Sequence, residues 1–239
     1  MNRQLKYLAF DIETARIMPE GVADWKKYRP LGISCAAALP SDGEAALWYG
    51  KTPSGDYASQ MSVDETQDLV KHLQTQVEAG YMILTWNGFG FDFDILAEES
   101  GMGPVCKDLA LDHTDMMFHV FCLKGYPLGL DKAAKGMGLK GKPHGISGEM
   151  APRMWAESRF QEVLDYVRQD VHILLELAHA IDLTRQLRWL SNSGRPQRLA
   201  LPSGWLTVKE AQNLPLPDTS WMSDPWPRSK FTKWLEPRI

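Results

Sequence analysis

Several classes of protein are excluded by what this sequence has little of. Cysteine is scarce: Cys35, Cys106 and Cys122 are the only three, widely spaced and without a C-x-x-C pair. An odd, scattered set does not build a disulfide framework or a zinc site, and it points to a reducing cytosol. No stretch approaches the ~18 consecutive apolar residues of a membrane span. The apolar run after Met1-Asn2-Arg3-Gln4-Leu5-Lys6 ends at Asp11, too short for a secretory signal, so a cytoplasmic protein is expected. Basic residues are not in excess either: 26 Lys and Arg stand against 30 Asp and Glu, giving a formal net charge of −4 and a pI near 5.9. Any surface for nucleic acid must therefore be a local patch. There is no internal repeat and no low-complexity tract. The histidines lack metal-ligand spacing, and His172 and His179 read as structural.

What remains is the composition of an ordinary globular protein, 44% hydrophobic and 23% charged over 239 residues, enough for one sizeable core and an appendage. The chain is organised around Leu8-Ala9-Phe10-Asp11-Ile12-Glu13-Thr14. Leu8, Phe10 and Ile12 alternate with Ala9, Asp11 and Glu13, the period of a strand. Asp11 and Glu13 then share one face while Phe10 and Ile12 bury in the opposite layer. Two adjacent carboxylates repel each other unless a cation sits between them, and oxygen-rich clusters suit Mg²⁺ or Mn²⁺.

Further along, Leu31–Leu39, the turn Ser41-Asp42-Gly43-Glu44 and Ala45–Gly50 predict a hairpin that pairs with the first strand as a three-stranded antiparallel unit. Ser62 and Glu65 read as a capping box opening a helix with an apolar stripe at Leu69, Val70, Leu73 and Val77, ended by Gly80. Tyr81–Trp86 reads as a buried strand parallel to the first. The turn Asn87-Gly88-Phe89-Gly90 then leads into a helix from Phe91, which residues 101–107 break. A short helix is expected over Leu130–Met137, a loop over residues 142–153 and a long amphipathic helix from about Phe160 to Leu190. From Pro196 onward lie seven of the 15 prolines and four of the nine tryptophans, Trp205, Trp221, Trp226 and Trp234. The order of elements predicts an α/β fold, a sheet covered by helices.

Asp92 follows a strand-to-helix turn, where open α/β sheets place their ligands. Tyr166 and Asp170, spaced i,i+4, share one helix face, and an Asp on an apolar helix side is costly unless paired or bound to metal. Three motifs thus stand in order: Phe10-Asp11-Ile12-Glu13-Thr14; Asn87-Gly88-Phe89-Gly90-Phe91-Asp92 with Leu96; and Tyr166-Val167-Arg168-Gln169-Asp170. Together they resemble exonuclease motifs I, II and III of the DEDD 3′–5′ exonuclease superfamily, over about residues 5–182. Tyr166 matches the tyrosine subclass; the histidine subclass would carry His where Asp165 stands. The second motif looks most like the proofreading domains of family-B DNA polymerases and their stand-alone relatives, while Tyr166–Val171 would also suit the RNase D branch.

The resemblance implies an RNase H-like fold, a mixed five-stranded sheet with helices on both faces. It implies a domain over residues 1–190, with 191–239 as a Pro/Trp-rich extension packed on it. Asp11, Glu13, Asp92 and Asp170 would hold two Mg²⁺ or Mn²⁺ ions, and Tyr166 would orient the attacking water. Asn87, Phe91 and Thr14 would contact substrate. The implied activity is 3′–5′ hydrolysis of single-stranded DNA to nucleoside 5′-monophosphates. RNA in the same site, or an inactive nucleic-acid-binding module, are the alternatives. Lys124, Lys132, Lys135, Lys140 and Lys142 form a basic cluster that could track phosphates or simply face solvent. Of Phe89, Phe91 and Phe93, at least two are expected in the core and one against a base. The Trp-rich terminus is expected to fold back on the domain, with docking of a protein partner as a second reading and a nucleic-acid stacking platform as a third.

Overall fold

The computed structural model describes residues 5–19, 21, 24–141 and 148–236. At its centre is a mixed sheet of β1 (Lys6–Thr14), β2 (Ile33–Pro40), β3 (Ala46–Tyr49), β4 (Tyr81–Thr85) and β5 (Thr114–Asp115). The spatial order is β3-β2-β1-β4-β5. β1 pairs antiparallel with β2 and β2 with β3, whereas β4 lies parallel to β1 and β5 parallel to β4. The expected antiparallel unit and the parallel fourth strand are therefore both present. The alternation along β1 sorts its side chains as its sequence requires. Leu8, Phe10 and Ile12 pack with α1 (Val63–Glu78), α2 (Asp92–Ser100) and α3 (Gly103–Asp112). Tyr7 and Ala9 pack on the other face with α5 (Leu130–Gly136), α6 (Ala151–Ala156) and α7 (Phe160–Thr184). α4 (Met116–Lys124) contributes to both cores. Each fully buried chain of this size stabilises the fold by about 1.5–3 kcal/mol.

β1 and β2 stay in register from Leu8↔Pro40 to Glu13↔Cys35, after which Thr14 pairs with Ile33. Ser34 is the extra residue of a β-bulge, a feature that bends and re-aims strands. Its buried hydroxyl donates to the carbonyls of Glu13 and Thr14, at 3.1 and 3.2 Å.

Local signals place several boundaries where expected. Ser62 and Glu65 form the reciprocal capping box of α1, and Gly80 follows it at φ +90°. Val77 leaves the anticipated stripe, being 40% exposed. Other boundaries differ. Gly101 ends α2 in the left-handed conformation, but α3 starts two residues later with Pro104 in its first turn, so residues 101–107 hold a helix start as well as a break. The loop expected over 142–153 gives way to α6 from Ala151, while residues 142–147, and with them Lys142, lie outside the described residues. The long helix stops at Thr184, not Leu190. Arg185 adopts φ +52° there, and β6 (Gln186–Leu190) turns back through Ser191–Arg195 to pair with β7 (Pro196–Ala200). This hairpin straddles position 190, where the domain and its extension were expected to divide.

The terminal tryptophans behave differently from one another. Trp234 is buried, and its indole Nε1 donates to the Phe89 carbonyl at 2.7 Å. Phe231, in α9 (Ser229–Thr232), is buried against Phe118 and Phe121. Trp205 packs partly buried beside His119. Trp221 and Trp226 stay exposed. Among the described residues no helix is long and apolar enough to cross a membrane.

Candidate active site

The C-terminal end of β1 meets the N-terminal half of α7. Because α7 lies on the Tyr7 and Ala9 face, Asp11 and Glu13 point towards it, and Tyr166 and Asp170 point back. Ligand oxygens of Asp11, Glu13 and Asp170 all lie within 4.8 Å of one another. Glu13 and Asp170 are buried and Asp11 is half-buried. Three carboxylates this close, away from bulk water, repel strongly. The set is oxygen-only, without sulfur or imidazole, and so fits a hard divalent cation such as Mg²⁺ or Mn²⁺. The local field is felt by neighbours. Cys35, opposite Glu13 in the ladder, has its thiol pushed well above the usual range by burial and next by the Glu13 charge. The Tyr166 hydroxyl is raised too, first by burial and then by Asp170, Glu13 and Asp11, which makes it a firmly protonated donor.

Asp92 stands outside that trio but on the same cleft. It opens α2, is buried, and its Oδ1 accepts the backbone N–H of Ile12 at 3.1 Å, between the two acidic residues of β1. The cleft, about 560 Å³, is lined by all eight residues singled out from the sequence: Asp11, Glu13, Thr14, Asn87, Phe91, Asp92, Tyr166 and Asp170. Phe89 and Phe93 are fully buried, leaving Phe91 as the ring that faces the cleft, edge-on to Trp25 at 5.0 Å.

The turn delivering Asn87 and Asp92 is held by residues that sequence reasoning missed. Asp115 accepts from the backbone N–H of Asn87 at 3.0 Å and of Phe89 at 2.9 Å, and also caps α4 through Phe118. Its burial raises its carboxyl to about 6, against the opposing pull of those N–H donors. Thr85 Oγ1 accepts from Gly88 N–H and contacts His113 Nε2 at 2.9 Å. A Cβ at Gly88 would sit 2.4 Å from that hydroxyl, so glycine is required there. Asn87 itself sits at φ +76°, a conformation asparagine tolerates better than most residues. Trp25, Trp86, Glu149 and Arg153 are among the other residues that line the cleft. An Asp directly ahead of an apolar run is the kind of local signal that marks a helix cap, as Asp115 is for α4, but its grip on the Asn87 turn has no local signature.

A family model described as the RNase_H superfamily matches residues 47–181, more than half of the chain. The chain belongs to the RNase H superfamily. The matched span holds Asn87, Asp92, Tyr166 and Asp170 and begins after Asp11 and Glu13, which the sheet places beside them. The RNase H-like mixed sheet expected from the three motifs is thus borne out, as is the resemblance at superfamily level. Among solved structures, the family B DNA polymerase of the hyperthermophilic archaeon Pyrobaculum calidifontis aligns with TM-score 0.55 and 19% identity, over 87% of this chain and 27% of the polymerase. An E. coli ExoI–ssDNA complex aligns with TM-score 0.39 and 16% identity, over 82% of this chain and 51% of that one. The RNase H superfamily chain described here therefore spans about a quarter of the polymerase and half of ExoI. No curated protein matches it.

Proposed function

We propose that this protein is a divalent-metal-dependent 3′–5′ exonuclease that hydrolyses single-stranded DNA from its 3′ end and releases nucleoside 5′-monophosphates, acting in the cytosol. The observation that carries this reading is the convergence of Asp11, Glu13 and Asp170 within 4.8 Å, with Asp92 on the same cleft. Asp11, Glu13, Asp92 and Asp170 would hold Mg²⁺ or Mn²⁺, two ions in the full site. Such ions, when bound, acidify a water toward neutrality and stabilise the charge on a leaving oxygen. The remaining roles belong to the chain's own side chains. Tyr166, protonated and buried, donates its hydroxyl to orient the attacking water instead of taking its proton. Phe91 and Trp25 offer an apolar wall to the terminal base, a contact without sequence preference. Asn87 and Thr14, both lining the cleft, position the terminal nucleotide.

The test follows 5′-labelled single-stranded DNA and matched RNA with Mg²⁺, Mn²⁺ or EDTA, beside Asp11→Asn. A metal-dependent ladder shortening from the 3′ end, lost in the variant, is expected, with DNA the faster polymer. Faster RNA cleavage would reassign the substrate. No cleavage with any metal, alongside retained binding, would leave a nucleic-acid-binding module.

A further inference from the structure

Residues 183–209 carry Arg185, Arg188, Arg195, Arg198 and Lys209 and no acidic residue, in a chain of net charge −4. Most of these cations lie on the β6–β7 hairpin. Leu187 and Trp189 of β6 are buried toward α5, which turns Arg188 outward. In register, Arg188 lies directly opposite Arg198, and both are exposed, as is Arg195 at the turn. Like charges facing each other across strands destabilise a hairpin, so the arrangement has no value to the isolated fold. Docking is nevertheless tight: a Cβ on Gly136 would lie 2.0 Å from the Arg188 carbonyl oxygen. Between the hairpin, the α4–α5 connection and the C-terminal segment runs a groove of about 930 Å³. Lys124, Lys132 and Arg195 line it against a single carboxylate, Asp218, and Trp221, 68% exposed, stands edge-on to Tyr126. This groove adjoins the acidic cleft, because Trp86 lines the cleft and its indole donates to the carbonyl of Leu128, which lines the groove.

We propose that this basic, Trp-bearing groove binds the single-stranded nucleic acid lying 5′ of the terminal nucleotide. Lys124, Lys132 and Arg195 hold phosphates and Trp221 stacks a base, while Arg188 and Arg198, which line a smaller neighbouring pocket, add to the positive field. Naming the strand's polarity rests on the exonuclease reading; the binding itself does not. Cations on phosphates and an aromatic on a base are the two elements of sequence-tolerant strand binding, and the groove is a local exception to the acidic surface.

The test compares wild type, the triple variant Lys124→Gln/Lys132→Gln/Arg195→Gln, and Trp221→Ala. Probes are oligothymidylates of roughly 20 and roughly 3 nucleotides, with matched oligouridylates, read by anisotropy and by KM across a salt series. In the triple variant, Kd and KM for the long oligomer should rise about tenfold, and the slope of log K against log salt should fall by about 2. Trp221→Ala should weaken the long oligomer by about tenfold without changing that slope. Short-oligomer kcat and KM should stay within about twofold in both variants, since those substrates reach only the acidic cleft. Equal losses on long and short oligomers, an unchanged slope, or binding of anionic vesicles in place of oligomers would overturn the proposal. If the wild type binds the long oligomer through these cations but cleaves nothing, the exonuclease reading falls and the groove stands. If it cleaves and the triple variant keeps its long-oligomer KM, the groove falls alone.

Discussion

Trp234 is the clearest place to perturb the coupling between the C-terminal segment and the motif-II turn. It is 7% exposed, packs edge-on to Phe89 at 6.3 Å between centroids, and donates to the Phe89 carbonyl. Trp234→Ala removes that packing at a cost of about 3–5 kcal/mol and strands a buried carbonyl as well. Trp234→Phe keeps most of the ring and loses only the donor, for about 1–3 kcal/mol. Against a typical total of about 5–15 kcal/mol, the alanine variant should unfold at a visibly lower urea midpoint with an unchanged slope, and the phenylalanine variant should fall between it and wild type. The ring of Phe231 lies so close to Gly90 that a Cβ there would meet it at 2.7 Å, so the same segment presses on both residues ahead of Phe91 and Asp92. Cleavage should therefore fall in Trp234→Ala under conditions where circular dichroism still shows a native fold. An alanine variant melting within about 1 kcal/mol of wild type would refute the reasoning, since a truly buried Trp cannot be deleted so cheaply.

Two other outcomes follow from the same geometry. Burial lifts the Asp115 carboxyl from 3.8 to about 6. The folded value exceeds the unfolded one, so this group's stabilisation is fully present below about pH 4 and is lost as pH rises through about 6, an effect of about 3 kcal/mol. The stability difference between wild type and Asp115→Asn, from urea midpoints, should thus be larger at pH 4 than at pH 7.5; equal differences would show that the carboxyl does not titrate in that window. Mg²⁺ or Mn²⁺ should raise the thermal midpoint, since a ligand at about 100 times its Kd adds about 2.7 kcal/mol. Asp170→Asn should raise the midpoint in EDTA by relieving repulsion within the trio and should blunt the metal-dependent rise, and an undiminished rise in that variant would place the metal elsewhere.

The acidic centre was legible because its signals are local. Asp11 and Glu13 follow from a two-residue period, and Tyr166 and Asp170 from a four-residue helix spacing, so their shared faces survive any detail of packing. The antiparallel hairpin and the capping box of α1 were legible for the same reason. The end of α7 was not. Arg185 closes it in a left-handed conformation with neither glycine nor proline to mark it, and Leu187 and Trp189 then alternate as strand residues where helical periodicity had seemed to continue. Pro104 misled in another way: proline breaks a helix interior but suits a first turn, and only the structure shows which applies. The role of Asp115 was hidden because its partners, Asn87 and Phe89, lie 28 and 26 residues away.

The bulge at Ser34 decides what kind of surface the acidic residues look out on. Strict alternation down β2 would set Ile33 on the same side as Cys35 and Ala37, which is the side of Asp11 and Glu13. The inserted residue instead sends Ile33 into the opposite core, with Phe10 and Ile12. One serine thereby keeps a branched hydrocarbon from crowding three carboxylates, and its hydroxyl occupies the two carbonyls that the irregularity leaves over. Drawing Ser34 into the regular ladder would leave the chain just as hydrophobic while inverting Ile33 toward the cleft. Hydropathy alone does not register that shift, whereas to this fold it is a change of lining.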